Sequence, residues 1–347
     1  MRKTIYLAVS LDVEEEGLFC GVYARRGAGV SNTRFLTRLA PLLERGVRPT
    51  LFCAHSVLAD AGSRRIPEVL RDRHGAEIGA HLHHWNTPPL ELSGDGSALP
   101  DSTDSVPSCV LPEALFAAKL KTLFDAARDF QGQAVTSFRM GRWDLHKKHW
   151  PLLAKAGVLT DASVRPLHGK GPGSTLPDHF DAPSDPYWIP VGGGHIFEAP
   201  LTVTPLLTGI CGGLTALAGL PGRTGRIARR LQANIHCWGA LALLPAYHPL
   251  AAMKAVTRIF AARGGMLLSL TWHSSEMAPG ATPHLPDGKA VRKLLDKVTA
   301  YVDWLGRRFD IRCLPMNELR NALGGSAPIL TCEAGDWTTA PQKGEPQ

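Results

Sequence analysis

Three histidines stand within four positions of the segment GAEIGAHLHHWNTPP, residues 75–89. They are His81, His83 and His84, and they end an apolar run that is typical of a buried strand. A buried imidazole without a hydrogen-bond partner costs free energy, so such a cluster needs a physical reason. The cluster indicates a metal site, provided that carboxylates reach it from elsewhere in the chain.

The first strand-like run, TIYLAVSLDVEEE, brings carboxylates to its end. Side chains two positions apart on a strand share a face, so Asp12 and Glu14 point one way, and His81 and His83 do the same on their own strand, whereas His84 points away. Two imidazoles and a carboxylate leave one position of a zinc-like ion open, which is the pattern of a catalytic site. Such an ion would lower the pKa of a bound water toward neutrality.

Three further polar residues end other apolar runs: Arg139 in SFRMGRW, Asp161 in TDASV and His273 in LTWHSSE. Each residue also has a structural interpretation. The carboxylates and Asp161 could cap the following turns, the histidines could be core residues bonded to backbone, and Arg139 could be a structural ion-pair partner. The catalytic interpretation requires all of them to meet at one edge of a sheet.

Short apolar runs alternate along the chain with longer helical patterns, which predicts an α/β fold with a parallel sheet. The predicted strands are TIYLAVSLDVE, RPTLFCAHS, AEIGAHLH, AVTSFRMGR, GVLTDASV, HIFEAPLTV, GMLLSLTWHS and FDIRCLPM, and the helices lie near 32–45, 64–73, 111–130, 145–156 and 287–308. No Gly-x-Gly-x-x-Gly follows a strand, so a distorted (β/α)7–8 barrel is favoured over a dinucleotide-binding sheet. Such barrels carry their active sites at the carboxyl ends of the strands.

We expect one barrel domain over residues 1–324, followed by a mobile tail over 325–347. Two irregular stretches, 85–110 and 165–190, are predicted to be substrate-binding loops or disordered segments. Residues 205–252 form a distinct insertion, with two apolar helices expected around a turn. That turn carries Arg223, Arg226, Arg229 and Arg230. The insertion either packs on the barrel or also rests on an anionic membrane surface.

Composition sets outer limits on function. The 347 residues carry a formal charge of +7, but no aromatic and basic nucleic-acid motif accompanies it, so we expect no nucleic-acid partner. The seven scattered cysteines are typical of reduced thiols in a cytoplasmic protein. The apolar part of the N-terminus is too short for a signal peptide, and no stretch of about 20 apolar residues predicts a membrane span.

Five motifs over residues 4–320 resemble, in their order and spacing, those of the NodB-type polysaccharide deacetylases, carbohydrate esterase family 4. The motifs are SLDVEEE, EIGAHLHHW, SFRMGRW, TDASV and LSLTWHSSE. The resemblance implies a metal-dependent amide hydrolase on a distorted barrel, acting on an amino sugar. The HLHxWNTPP form is most similar to a bacterial branch associated with lipopolysaccharide and other surface-glycan assembly. The implied substrate is therefore an N-acylated, in particular N-acetylated, sugar of a surface glycan or its precursor.

Two departures from the family pattern leave the metal ligands open. Val13 stands where the family has a second aspartate, and Trp85 where it has a second histidine. Strand parity favours Glu14, His81 and His83 as ligands of a divalent ion such as Zn²⁺, with Asp12 as the base. The reverse assignment of Asp12 and Glu14, or a form without metal, stays open.

The resemblance also implies roles for the remaining motif residues. Arg139 would orient Asp12, and His273, kept protonated with help from Asp161, would donate a proton to the departing amine. Three tryptophans beside these motifs, Trp85, Trp143 and Trp272, would bind a sugar ring on their flat apolar faces.

Three other functions compete with this one. A deformylase of a lipid-linked amino sugar would use the same site and would explain residues 205–252. An amidohydrolase of another superfamily would also use a His-x-His pair, but on its first strand. A catalytically inactive glycan-binding protein would retain the groove without the chemistry.

Overall fold

The computed structural model of the chain describes residues 2–90, 107–169, 175–207, 209–333 and 336–339. The strands are β1 (Thr4–Val13), β2 (Thr50–Ala54), β3 (Glu77–Leu82), β4 (Ser137–Met140), β5 (Thr160–Asp161), β6 (Tyr187–Val191), β7 (Gly194–Glu198), β8 (Val203–Pro205), β9 (Ala240–Ala242), β10 (Leu267–His273), β11 (Asp310–Cys313), β12 (Leu330–Glu333) and β13 (Asp336–Thr339). The helices are α1 (Ala40–Leu43), α2 (His55–Ala59), α3 (Ala61–His74), α4 (Glu113–Gln131), α5 (Trp150–Lys155), α6 (Ile210–Ala218), α7 (Gly222–Ala233), α8 (Ile235–Trp238), α9 (Leu250–Ala262), α10 (Gly288–Arg308) and α11 (Met316–Leu323).

Nine of these strands form one sheet in the order β10-β1-β2-β3-β4-β5-β7-β6, and β11 pairs with the first half of β1. Every pairing in this sheet is parallel except that of β6 with β7. Each of the eight predicted apolar runs contains a strand of the sheet, so the α/β fold with a parallel sheet is confirmed. The antiparallel strand β6 was not predicted.

The sheet curls most of the way round a central axis. Backbone hydrogen bonds join the segments that follow β7 and β9 to β10 across the remaining gap, from Thr202 N–H to Ser269 O (3.3 Å) and from Thr271 N–H to Leu243 O (3.4 Å). The architecture is thus an open, distorted form of the predicted barrel.

Strand parity sorts the side chains into an interior and an exterior. Small and aromatic residues such as Ala8, Phe52 and Phe197 fill the interior, where α11 closes the amino ends of the strands with Met316 and Leu319. The alternate residues of the strands pack under the helices and form the large outer core. The carboxyl ends of the strands, at the opposite end of the barrel, are left for polar groups.

Residues 205–252 contain α6, α7 and α8 and most of the β8–β9 pair, which pack on the barrel through a small apolar cluster that includes Leu214 and Ile235. The expected turn bearing the arginines is wrong, because Arg223, Arg226, Arg229 and Arg230 all lie on α7. The second apolar run expected as a helix is divided among the end of α7, α8, β9 and the loop before α9. None of the helices in the described ranges is both long enough and apolar enough to cross a bilayer.

The segment predicted as a C-terminal tail begins with an antiparallel pair, β12 with β13. The backbone N–H of Trp188 donates to Pro328 O at 2.8 Å, which attaches the start of this segment to β6. Residues 340–347 lie outside the described residues, as do 91–106 and 170–174 in the two predicted loops. The domain boundary at residue 324 stays a prediction.

A buried carboxyl pair lies between the sheet and the helix layer. Asp161 and Glu198 are register partners on β5 and β7, and both side chains are fully buried. Asp161 accepts a hydrogen bond from Trp150 Nε1 on α5 (3.0 Å), and Glu198 accepts one from Val164 N–H (3.1 Å). Burial raises the pKa of both carboxyl groups, and the negative charge of Asp161 raises that of Glu198 further, well above its usual value.

We predict that Glu198→Gln stabilises the protein increasingly as the pH rises. Because the folded-state pKa of Glu198 lies above its unfolded value, its stabilising contribution is full at acidic pH and is lost as the pH rises through the folded pKa. Glutamine keeps a donor for Asp161 and an acceptor for Val164 N–H without a charge. In urea unfolding, the free energy of unfolding of the variant should exceed that of wild type by at least about 1 kcal/mol at pH 8.5, with a smaller difference at pH 5. A difference independent of pH would contradict this assignment.

Candidate metal centre and active site

The inward-facing polar residues meet at the carboxyl ends of β1, β3 and β10. Register pairs Asp12 with His273, while Glu14 and His83 come from the segments just beyond β1 and β3. A cavity of about 280 Å³ opens there. Its lining residues are Asp12, Glu14, Leu18, Phe19, Tyr23, His81, His83, Trp85, Arg142, Trp143 and His273.

Glu14, His81 and His83 present donor atoms to one point, with one atom from each lying within 4.8 Å of the others. Glu14 Oε2 lies 3.5 Å from His81 Nε2 and 3.3 Å from His83 Nε2. Two ligand bonds of about 2.0–2.1 Å at a tetrahedral angle separate their donor atoms by about 3.3–3.4 Å. The three residues therefore fit a zinc-like ion and leave a coordination position for another ligand.

Hydrogen bonds to the other ring nitrogens hold both imidazoles in the tautomer that a metal requires. His81 Nδ1 contacts the backbone oxygen of Arg139 at 3.0 Å, and His83 Nδ1 contacts Glu15 Oε1 at 2.8 Å. Both oxygens can only accept, so each Nδ1 carries a proton and each Nε2 is the ring nitrogen that faces the site and can bind an ion. A carboxylate behind a ligating histidine is a common feature of metal centres.

Glu15 is itself fixed by the surrounding chain. Trp85 Nε1 donates to its Oε1 (3.2 Å) and Ser56 Oγ to its Oε2 (3.0 Å). Burial raises the pKa of Glu15, but the neighbouring His83 outweighs this effect and lowers the pKa to about 2. Burial lowers the pKa of His83, whereas Glu15 and Glu14 raise it, to about 10 in the absence of an ion.

Asp12 lies beside the donor set without belonging to it. Its Oδ1 accepts a hydrogen bond from Arg139 Nη1 at 2.7 Å, and its Oδ2 lies 3.9 Å from His81 Nε2 and 3.7 Å from His273 Nε2. Burial raises the pKa of Asp12, but Arg139, His81 and His273 together lower it to about 2. Asp12 is thus ionised and faces the cavity with one oxygen.

The guanidinium of Arg139 is buried and every nitrogen donates. Besides Asp12 it binds Ala162 O (3.0 Å), Ser10 Oγ (2.9 Å) and Thr271 Oγ1 (2.8 Å). Its faces lie over the rings of Phe52 and Trp143. Arg139 therefore fixes Asp12 and its strand β1 relative to β10 and to the residue that follows β5.

Glu276, rather than Asp161, orients His273. Glu276 Oε2 contacts His273 Nδ1 at 2.9 Å and accepts from the His273 backbone N–H at 2.9 Å, while its Oε1 lies 2.7 Å from His284 Nε2. Burial lowers the pKa of His273, but Glu14, Glu276 and Asp12 raise it to about 10. His273 Nε2 therefore reaches the cavity as the tip of a protonated imidazole.

The expected pairing of Asp161 with His273 is wrong for a reason of strand parity. Asp161 is in register with Phe138, whose side chain packs outside the barrel, and it points to Trp150 on α5. Thr160 and Ala162 take the inward positions. Because β5 has only two residues, its alternation is too short to indicate which face Asp161 occupies.

The three tryptophans differ in their suitability for a sugar. Trp143 is half-buried and lines the cavity. Trp85 also lines it, but it is 1% exposed and stacks on His83 with ring centroids 4.2 Å apart, so it holds the His83 ring in place. Trp272, register partner of Leu11, is buried in the outer core, and its expected contact with substrate is wrong.

Several residues of the site were missed from the sequence. Glu15 lies within the motif SLDVEEE and Glu276 within LSLTWHSSE. The His-x-x-Glu spacing of His273 and Glu276 could have indicated that the carboxylate orients the imidazole. Phe19 and Tyr23 come from the loop after β1, which has no strand periodicity. Gly141 leaves room for His83, since a Cβ there would lie 2.4 Å from the His83 ring.

No protein-family model and no curated protein sequence matches this chain. Solved structures do. A protein from Mycobacterium smegmatis assigned as a polysaccharide deacetylase is 17% identical, with a TM-score of 0.51 over 94% of this chain and 91% of that one. One from Parabacteroides distasonis assigned as a glycoside hydrolase/deacetylase is 13% identical, with a TM-score of 0.54 over 96% and 75%.

The fold is also similar to that of an enzyme with different chemistry. A 4-alpha-glucanotransferase from Thermococcus litoralis is 11% identical, with a TM-score of 0.51 over 92% of this chain and 40% of that one. Identities this low establish a shared fold. The function must therefore be inferred from the residues of the site.

We predict that Glu15→Gln weakens zinc binding about 10- to 100-fold, because loss of the carboxylate behind His83 lowers the basicity of that ligand. The measurement is competition for Zn²⁺ against a chromophoric chelator. Glu16→Gln is the matched control, because Glu16 binds Ser31 and Asn32 outside the cavity. Equal affinities for the two variants would contradict the role of Glu15.

Proposed function

We propose that the protein is a metal-dependent hydrolase that removes an N-acyl group, in particular N-acetyl, from an amino sugar of a surface glycan or its precursor. The observation that carries the proposal is the position of Asp12 and His273, within 4 Å of each other on one side of a fitting metal-ligand set. Glycan-binding proteins have no need of such an acid and base around a cation site. The resemblance of the motifs to NodB-type deacetylases supports the same reaction.

Glu14, His81 and His83 would hold the divalent ion, Zn²⁺ in this proposal. When bound, the ion would supply Lewis acidity for the acyl carbonyl and lower the pKa of the attacking water. Asp12, oriented by Arg139, accepts a proton from that water as the new C–O bond forms. His273 donates its Nε2 proton to the nitrogen as the C–N bond breaks, which releases a carboxylate and an amine.

The rim of the cavity is suited to a sugar. Phe19, Tyr23 and Trp143 offer aromatic faces, and the exposed Arg142 lies over the Tyr23 ring at 5.2 Å. Stacking on such faces is a common way to bind the apolar side of a pyranose. We place the reaction in the cytoplasm, as part of lipopolysaccharide or other surface-glycan biosynthesis. The location is consistent with reduced thiols, because the six cysteines whose side chains the structure describes form no disulfide.

A deformylase of a lipid-linked amino sugar is the second candidate. It would use the same acid, base and ion with a smaller acyl group. The specific observation in its favour is the exposed apolar surface of residues 206–247, which borders the cluster that Trp143 contacts.

The direct test supplies the zinc-loaded protein with N-acetylated and N-formylated amino sugars, nucleotide-linked and lipid-linked, and measures released acetate and formate. Asp12→Asn and His273→Ala should each lower kcat by at least about 100-fold, the usual contribution of a general base or acid. Asp296→Asn, an exposed carboxylate on α10, is the control. Carbohydrate binding without release, unchanged by a chelator, would identify a glycan-binding protein instead.

We predict that Glu276→Gln shifts the alkaline limb of the kcat/KM profile to lower pH. The negative charge of Glu276 raises the pKa of His273, so its loss lowers that pKa, and the proton needed by the amine is lost at a lower pH. A pH profile between 6 and 10 measures the shift. Glu113→Gln, at the exposed start of α4, should leave the profile unchanged, and an equal profile for Glu276→Gln would contradict the role.

A further inference from the structure

Exposed apolar side chains concentrate on the insertion. Eight of the thirteen large hydrophobic residues that are exposed in the described part of the chain fall within residues 206–247. They are Leu206, Leu207, Leu217, Leu220, Ile227, Leu231, Trp238 and Tyr247. Single exposed apolar residues are ordinary, but a concentration of this kind marks an interaction surface.

The insertion lies within a longer segment that holds the charge excess of the protein. Residues 199–275 contain seven Lys and Arg and no Asp or Glu. The other 270 residues therefore carry 31 basic and 31 acidic side chains, so the net charge of +7 arises here. Charge segregated in this way selects an anionic partner.

Helix α7 places the two features side by side. Gly225, Ala228 and Gln232, spaced for one helical face, are buried, and α7 packs closely on α6. A Cβ on Gly225 would collide with Leu220 O in the turn before α7 and would lie 3.2 Å from Ala218 O at the end of α6, which shows how tightly α7 packs there. The opposite face carries exposed arginines beside the exposed Ile227 and Leu231.

The outward arginines are available to a partner. Arg229 donates to Ala218 O and so joins α7 to α6. Arg223, Arg226 and Arg230 are exposed, and in the described ranges none of them forms an ion pair. Three guanidinium groups beside an apolar strip are complementary to a lipid bilayer, which has phosphates at its surface and an apolar interior.

We propose that the outer face of α6 and α7 docks on the surface of an anionic lipid bilayer. The arginines bind lipid phosphates while Ile227, Leu231 and the neighbouring leucines enter the interface. An acidic protein could pair its carboxylates with the arginines, but its charge would not provide an apolar surface for the leucines. An anionic bilayer provides both. This inference does not depend on the proposed reaction.

The test is co-sedimentation of the full chain with vesicles of phosphatidylcholine alone or with about 30% phosphatidylglycerol. We expect binding to the anionic vesicles that weakens as salt is added. The triple variant Arg223→Gln, Arg226→Gln, Arg230→Gln should lower the partition coefficient about 100-fold, since each basic residue near such a surface contributes about fivefold. The double variant Ile227→Ser, Leu231→Ser should lower it about tenfold.

The matched control is Arg65→Gln, Arg73→Gln, Arg292→Gln, which removes the same charge from exposed positions elsewhere. It should bind like wild type, and circular dichroism should show all variants folded. Equal loss in both triple variants, equal binding to neutral vesicles, or no binding to either vesicle would overturn the proposal. Activity on soluble substrates would be unchanged in the α7 variants, so failure here is separate from failure of the hydrolase.

Discussion

The buried ion pair of Arg139 with Asp12 is the interaction on which the site depends. A guanidinium enclosed by protein is stable only when its donors are satisfied, and Arg139 meets this requirement with a carboxylate, a carbonyl and two hydroxyl groups from β1, β10 and the residue after β5. These contacts hold the carboxyl ends of β1, β4 and β10 together. Asp12 consequently has one oxygen committed to Arg139 and one facing the cavity.

The rest of the site is organised by an excess of buried negative charge. Asp12, Glu14, Glu15 and Glu276 are all buried near the cavity. Arg139 neutralises one of them. The other carboxylates raise the pKa values of His83 and His273, so these two imidazoles hold their extra protons more tightly. A divalent ion among Glu14, His81 and His83 would satisfy the same charge without a proton on His83.

Alternation of small and bulky residues was enough to predict much of this arrangement. It placed Asp12, Glu14, His81, His83 and His273 on inward faces, because β1, β3 and β10 are long enough for their period to be visible. It could not place Asp161, which lies on a strand of two residues. Trp272 was assigned to the substrate because it stands beside the motif, although the alternation that points His273 inward points Trp272 outward. Phe19 and Glu276 lie on turns, where side-chain direction depends on tertiary contacts that no local pattern encodes.

Similar structures include both a protein assigned as a deacetylase and a glucanotransferase, so the proposed function depends on the ion and its ligands rather than on the fold. Anomalous diffraction from crystals grown with Zn²⁺ tests it most directly. We predict one strong peak about 2.0–2.2 Å from Glu14, His81 and His83, with the Asp12 carboxylate still bound to Arg139 and outside the coordination sphere. A peak coordinated by Asp12, or no peak at these residues, would contradict it.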